Sequence, residues 1–344
     1  MTTVRIRIQN VLRCRNITTR ICIVFLFACC VASPLYAQIR IIYDTDMDTD
    51  CDDVGALAIL HALADEGEVE ILATVVSSRY PWSVPCVDVI NQYYGRGDIP
   101  IGAPKTAWTD SGFRGSPYAR QISEQSEPYT PRYKSNNDAP DAVDVYRRVL
   151  VAQKDNSVVI VSVGYLTNLR DLLASKPDDI SPLNGVDLVR QKVSRWVCTG
   201  GSYPRDTNPA VRGNYTPDPL SAAIAVRDWP GLIYFTGLGD DIQTGGRLHE
   251  TPAENPIRRA YKLLLRDVKT RPSWDLIGVL FAIRSDSDFW RLHTGGHYHI
   301  FDNGTYEWRE ELNKDHYVLQ LKENTEKALR ETLDELMIQK PKVK

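Results

Sequence analysis

The chain has 344 residues, with 41 Lys and Arg against 44 Asp and Glu, a formal net charge of -3, and 43% hydrophobic residues. That is enough to bury a full core in one large domain or two small ones. The basic residues form no stripe and are scattered among similar numbers of acids, which excludes a nucleic-acid partner as the first reading.

In chain order, the first 37 residues differ in kind from the rest. Basic residues run from Arg5 to Arg20 without an acid, followed by the apolar ICIVFLFACCVAS and by PLYA. This pattern predicts a secretory signal cleaved after Ala37, hence an exported protein, periplasmic or extracellular, with no stable membrane span once the signal is removed. LFAC loosely resembles a lipid-attachment box, so a lipid-anchored form through Cys29 or Cys30 stays open. Residues 38–344 then form a single domain with three cysteines, Cys51, Cys86 and Cys198. They show no CxxC spacing and read as buried small apolar side chains.

The mature chain opens on a β-branched run, IRIIY, and then DTDMDTDCDD from Asp44 to Asp53, six carboxylates in ten residues, before the helical pattern VGALAILHAL. Carboxylates crowded this closely repel one another unless a cation neutralises them, so the segment reads as a divalent metal site. Oxygen-only ligands point to Ca2+ or Mg2+ rather than zinc. An EF-hand is excluded in every register, because position six falls on Thr49, Cys51 or Asp53 and position twelve on Gly55, Leu57 or Ile59. What remains is a strand-to-helix turn, with Asp44 and Asp46 at the strand end and Asp52 and Asp53 in the first helical turn, where the helix dipole favours them.

Further strands are predicted at 69–76, 157–163, 193–198 and 232–236. Helices are predicted at 52–66, 84–95, 140–155, 165–175, 219–228 and 255–270. The alternation argues for an α/β fold with a mostly parallel central sheet flanked by helices, Rossmann-like, with ligands outside the carboxyl ends of the strands. The polar stretch 106–137 reads as an excursion over the active-site face or as a surface loop. HIFDNGTYEW reads as a hairpin around Asn303 and Gly304. His293, His297 and His299 alternate as in a strand, and residues from Glu323 to about Gln339 form an amphipathic helix that covers the core.

Four segments now bear on function: the DTD loop ending in DD, VSVGYLTNLRDLL, FTGLGDDIQTGGRL and PSWDLIGVL, together with YTPDPLSAA. In this order they resemble the motifs of the nucleoside hydrolases, calcium-dependent enzymes that cleave the N-glycosidic bond of ribonucleosides. The likeness spans about residues 39–340. It implies Asp46 as a calcium ligand and general base, Asp53 and Asp275 as ligands, Thr167 as a ligand through its carbonyl, and Asp52 near the ribose hydroxyls. It also implies a small-molecule nucleoside or glycoside substrate, glycoside cleavage by a metal-held water, and a homo-oligomer. Asp275 read alone is a helix N-cap.

The departures matter as well. The loop is two residues longer than the family's and carries Asp48 where glycine is usual, which leaves Asp48 and Asp50 open as replacements for Asp46. Where many members have Glu-Phe-Asn, this chain has Arg212, Gly213 and Asn214. Asn214 keeps a substrate-binding role, and Arg212 would favour an anionic substrate group or pair with an extra aspartate. Trp274 replaces a frequent histidine and either stacks on a nucleobase or fills the core. The competing readings are a sugar or nucleoside binding protein without turnover and, more weakly, a Mg2+ phosphohydrolase.

Overall fold

The computed structural model describes residues 38–105, 115, 117–206, 213–310 and 315–342. Residues 1–37, on which the expected signal falls, and Arg212 lie outside them, as does part of the polar excursion. In chain order the elements are β1 (Ile39–Thr45), α1 (Asp52–Glu66), β2 (Val69–Val76), α2 (Ser83–Tyr93), β3 (Ile101–Gly102), α3 (Pro117–Glu124), α4 (Ala142–Val151), β4 (Val158–Ser162), α5 (Thr167–Ala174), α6 (Gly185–Lys192), β5 (Val193–Cys198) and β6 (Arg205–Asp206). They continue as α7 (Pro219–Asp228), β7 (Ile233–Phe235), β8 (Gln243–Thr244), α8 (Pro256–Leu265), β9 (Arg271–Pro272), α9 (Trp274–Ile283), β10 (Trp290–Ile300), β11 (Tyr306–Arg309), β12 (His316–Leu321) and α10 (Glu326–Met337).

The main sheet runs β3-β2-β1-β4-β5-β7-β12-β10-β11-β6, and β8 pairs with β9 separately. From β3 to β12 every neighbouring pair is parallel. The last strands add antiparallel. The predicted mostly parallel α/β sheet is therefore what the chain forms. Its strands are apolar on both faces because helices cover both: Ile41, Tyr43 and Val161 face one buried cluster, while Ile42, Ile160 and Trp196 face the other.

The strand order reverses between β1 and β4, and there the loops that leave the two strands diverge to opposite sides and open a crevice. The DTD loop leaves β1 and the GYLTN loop leaves β4 at this point, which explains why two distant motifs meet. Gly164 is required for the meeting: a Cβ there would lie 2.3 Å from the Asp46 backbone nitrogen and 2.8 Å from the Thr45 carbonyl carbon.

Several elements depart from the sequence expectation. The helix expected at 255–270 ends at Leu265, because Arg266 turns to φ 54. The excursion contains α3, whose Tyr118 is fully buried. The hairpin forms where expected, with Ile300 opposite Tyr306 and Gly304 at φ 84. Cys51, Cys86 and Cys198 are all free and buried. Among the described residues, no helix is long and apolar enough to cross a membrane.

Candidate active site

The site is built on the carboxyl end of β1. Asp44 is fully buried and accepts hydrogen bonds from the Tyr146 hydroxyl at 2.7 Å and from Asn168 Nδ2 at 3.1 Å, while the same Asn168 nitrogen donates to the Val76 carbonyl at 3.0 Å. The first aspartate of the run and the asparagine of LTN are thus spent on tying β1, β2, α4 and α5 together. Burial raises the Asp44 carboxyl to about 7, against the pull of these donors.

The next residues fold back onto the start of α1. The Thr45 hydroxyl donates to Asp53 Oδ1, the Met47 amide donates to the same oxygen at 3.1 Å, and the Tyr43 hydroxyl donates to the Asp53 carbonyl at 3.0 Å. Met47 turns through the left-handed region at φ 49, an uncommon conformation for a side chain of this size. Its carbonyl is held by Ser83 Oγ at 3.1 Å. Asp48 is fully buried. It accepts from Ser78 Oγ at 2.5 Å, lies 3.5 Å from the Tyr165 hydroxyl, and has its second oxygen buried without a hydrogen-bond partner.

Four carboxylates converge at this point. Ligand oxygens of Asp50, Asp52, Asp53 and Asp275 all lie within 4.8 Å of one another. Asp275 comes from the first turn of α9, and its backbone N–H donates to Asp52 Oδ2 at 3.2 Å. Burial, and then the neighbouring carboxylates, push Asp46, Asp52 and Asp275 well above the ordinary carboxylate range and Asp53 up to about 7. Asp46 lies outside the four-oxygen group, but after burial the largest influence on it is Asp53.

The other expected site residues are placed as follows. Thr167 opens α5 and donates its hydroxyl to Asp218 Oδ2 at 2.7 Å, and Asp218 caps α7, so the LTN and DP segments are joined directly. Asn214 Nδ2 donates to the carbonyls of Val163 and Thr199 at 2.8 and 2.9 Å, which ties together the exits of β4 and β5. Trp274 Nε1 donates to Asp240 Oδ1 at 3.1 Å, and the Arg271 guanidinium lies 5.0 Å from the indole centre. Arg212 lies outside the described residues. His293 packs against Tyr203 and Trp308, while His297 and His299 line a surface cavity between α7 and β10.

Two residues escaped the sequence reading. Asp50, weighed there only as a substitute for Asp46, joins the cluster in its own right, and Arg271 pairs with it at 2.8 Å. The two-residue-longer loop signalled the first; nothing local marked the second.

The model of the family described as inosine-uridine preferring nucleoside hydrolase matches residues 41–287. Among solved structures, a plant nucleoside hydrolase superposes with a TM-score of 0.65 at 17% identity, covering 87% of this chain and 99% of its own. An inosine-uridine preferring nucleoside hydrolase from Bacillus anthracis gives 0.65 at 14% identity, covering 87% and 100%. A purine-preferring ribonucleoside hydrolase from Gardnerella vaginalis gives 0.63 at 16%, covering 87% and 99%. These likenesses establish the shared fold. No curated protein sequence matches. With the family model covering most of the domain and four carboxylates gathered at the switch point, the chain belongs to the inosine-uridine preferring nucleoside hydrolase family and is an N-glycosyl hydrolase.

Proposed function

We propose that the protein is an exported, calcium-dependent N-ribohydrolase, or a close variant acting on a related glycoside. The observation that carries this reading is the meeting of Asp50, Asp52, Asp53 and Asp275 within 4.8 Å in a chain of this family. The residues fit a hard cation. Every donor in the group is a carboxylate oxygen, and Asp52 Oδ1 is buried without a hydrogen-bond partner.

Asp46, Asp53 and Asp275 through their carboxylates, and Thr167 through its carbonyl, would hold the ion. When bound, Ca2+ supplies a Lewis-acidic centre for water and sugar hydroxyls and lowers the cost of crowding these carboxylates. Asp46 takes the proton of the attacking water, as the carboxylate at the carboxyl end of β1 next to Asp53. Asp52 and Asn214 orient the sugar, and Trp274 borders the leaving base. Attack at the anomeric carbon from the face opposite the base proceeds through an oxocarbenium-like transition state, without a covalent intermediate. The basic and apolar leader supports export.

The test is release of free sugar by the mature protein from a panel of purine and pyrimidine nucleosides, with calcium and with chelator. Absence of release from every member in calcium would remove the substrate class.

A further inference from the structure

Asp50 occupies none of the positions that the family motifs assign. It lies in the lengthened loop and is the most exposed member of the four-carboxylate group, at 25% side-chain exposure. Arg271 reaches it from β9, three residues before Trp274 in the chain, with Nη2 2.8 Å from Asp50 Oδ2. The guanidinium is held in place by the Trp274 ring, and its Nε is buried without a hydrogen-bond partner. Among the described residues, no other Lys, Arg or His forms an ion pair with Asp46, Asp48, Asp50, Asp52, Asp53 or Asp275.

A guanidinium bonded to one carboxylate of a cation cluster has two consequences of opposite sign. It offsets the repulsion among the carboxylates when no ion is present, and its own charge repels an ion that enters. The cation–π approach of Arg271 to the Trp274 ring, 5.0 Å from its centroid, favours this post over solvent. We propose that Arg271 is a built-in counter-ion that competes with the divalent cation for Asp50, and that Asp50 is an added ion ligand whose strength Arg271 sets. This inference rests on the cation-site reading of the same cluster. It makes the ion of this chain more readily exchanged than the number of carboxylates alone would suggest.

Calorimetric titration of calcium chloride into the chelator-stripped mature protein, without substrate, tests it. Arg271→Gln should bind calcium more tightly by roughly tenfold, because a repelling charge a few ångströms away is removed. Asp50→Asn should bind about tenfold more weakly, because one charged ligand is lost. Arg271→Lys, which keeps the charge, should stay closer to the wild type than Arg271→Gln does. Melting curves in chelator establish that each variant is folded, and Asp50→Asn carries the test alone if Arg271→Gln is not. Weaker or unchanged binding by folded Arg271→Gln would mean that the arginine only positions the loop, and would overturn the proposal while leaving the cation site standing. Unchanged binding by Asp50→Asn would overturn it as well. A wild-type protein that binds no calcium would overturn the cation reading itself and the proposal with it.

Discussion

Removing the cation should destabilise the fold in a pH-dependent way whose direction follows from the carboxylates. Asp53 shows the logic: burial raises its carboxyl from 3.8 to about 7 in the folded chain, with Asp50 the next cause. A group that holds its proton more tightly when folded supports the fold fully below its unfolded value near 4. That support is lost as pH rises through the folded value near 7. At pH 8 without an ion, this one group opposes folding by on the order of 4 kcal/mol, at 1.36 kcal/mol per pKa unit, and Asp46, Asp52 and Asp275 shift in the same direction. A bound cation offsets part of the penalty by favouring the charged carboxylates. Thermal melts at pH 5 and pH 8, each with calcium and with excess chelator, read this directly. Calcium at about 100 times its Kd should add roughly 2.7 kcal/mol, which for a domain of this size is a rise of about 5 °C at pH 8. The rise should be clearly smaller at pH 5, where protons compete for the same oxygens. Equal melting with and without calcium at pH 8, or a larger rise at pH 5, would refute the reasoning.

Other consequences can be checked separately. Asp46→Asn should lower kcat by about 100- to 10,000-fold, the usual worth of general-base help, in steady-state assays of nucleoside cleavage. Gly164→Ala should cost at least about 1–3 kcal/mol in denaturant unfolding and weaken calcium binding, since the new methyl group would strike the Asp46 and Thr45 backbone rather than a side chain that can move. His61 is fully buried, bonded to Asn91 Oδ1 at 2.9 Å and stacked on Tyr94, and burial lowers its pKa to about 3. The unfolded chain therefore binds a proton that the fold refuses, and the contribution of His61 to stability should fall by roughly 1.4 kcal/mol per pH unit as pH drops below about 6.5, opposite in sign to that of the ion-free carboxylates. His61→Gln should flatten that acid limb in chemical unfolding measured between pH 6.5 and 4; an unchanged slope would contradict the assignment.

Much of the architecture was legible because its signals are local and repeated. The apolar runs at 69–76 and 193–198 coincide with β2 and β5, since most positions of a strand covered on both faces are apolar; Glu70, Ser194 and Arg195, which break the pattern, are not fully buried. The helix at 52–66 also coincides with α1, fixed by its acidic first turn and by Gly67 at φ 86 just past its end. What stayed hidden is what sequence separation hides. Strands β3, β6, β8 and β9 have two residues each and carry no periodicity. The helix α6 is short and sits in a charged segment, where its buried face comes down to Gly185, Leu188 and Val189. At the site, the identity of the loop was readable from its crowded charge, but the division of labour within it was not. Asp44 turns inward to Tyr146 and Asn168, Asp48 turns to Ser78, and Asp50 turns to Arg271, 221 residues away. Each partner lies on another element, so only the fold distinguishes the structural aspartates from those that face the cluster. Trp274 was readable as an aromatic beside Asp275, whereas its bond to Asp240 and the arginine over its ring were not.

The most direct measurement of the proposed activity is the initial rate of free ribose release from inosine and uridine by the protein as calcium is titrated into chelator-stripped enzyme. Release should rise from background and saturate over the same calcium range that raises the melting temperature, and Asp275→Asn should abolish both responses. Calcium binding that stabilises the fold with no sugar released from either nucleoside would contradict ribonucleoside hydrolysis, and release that is indifferent to calcium would contradict the ion's role in it.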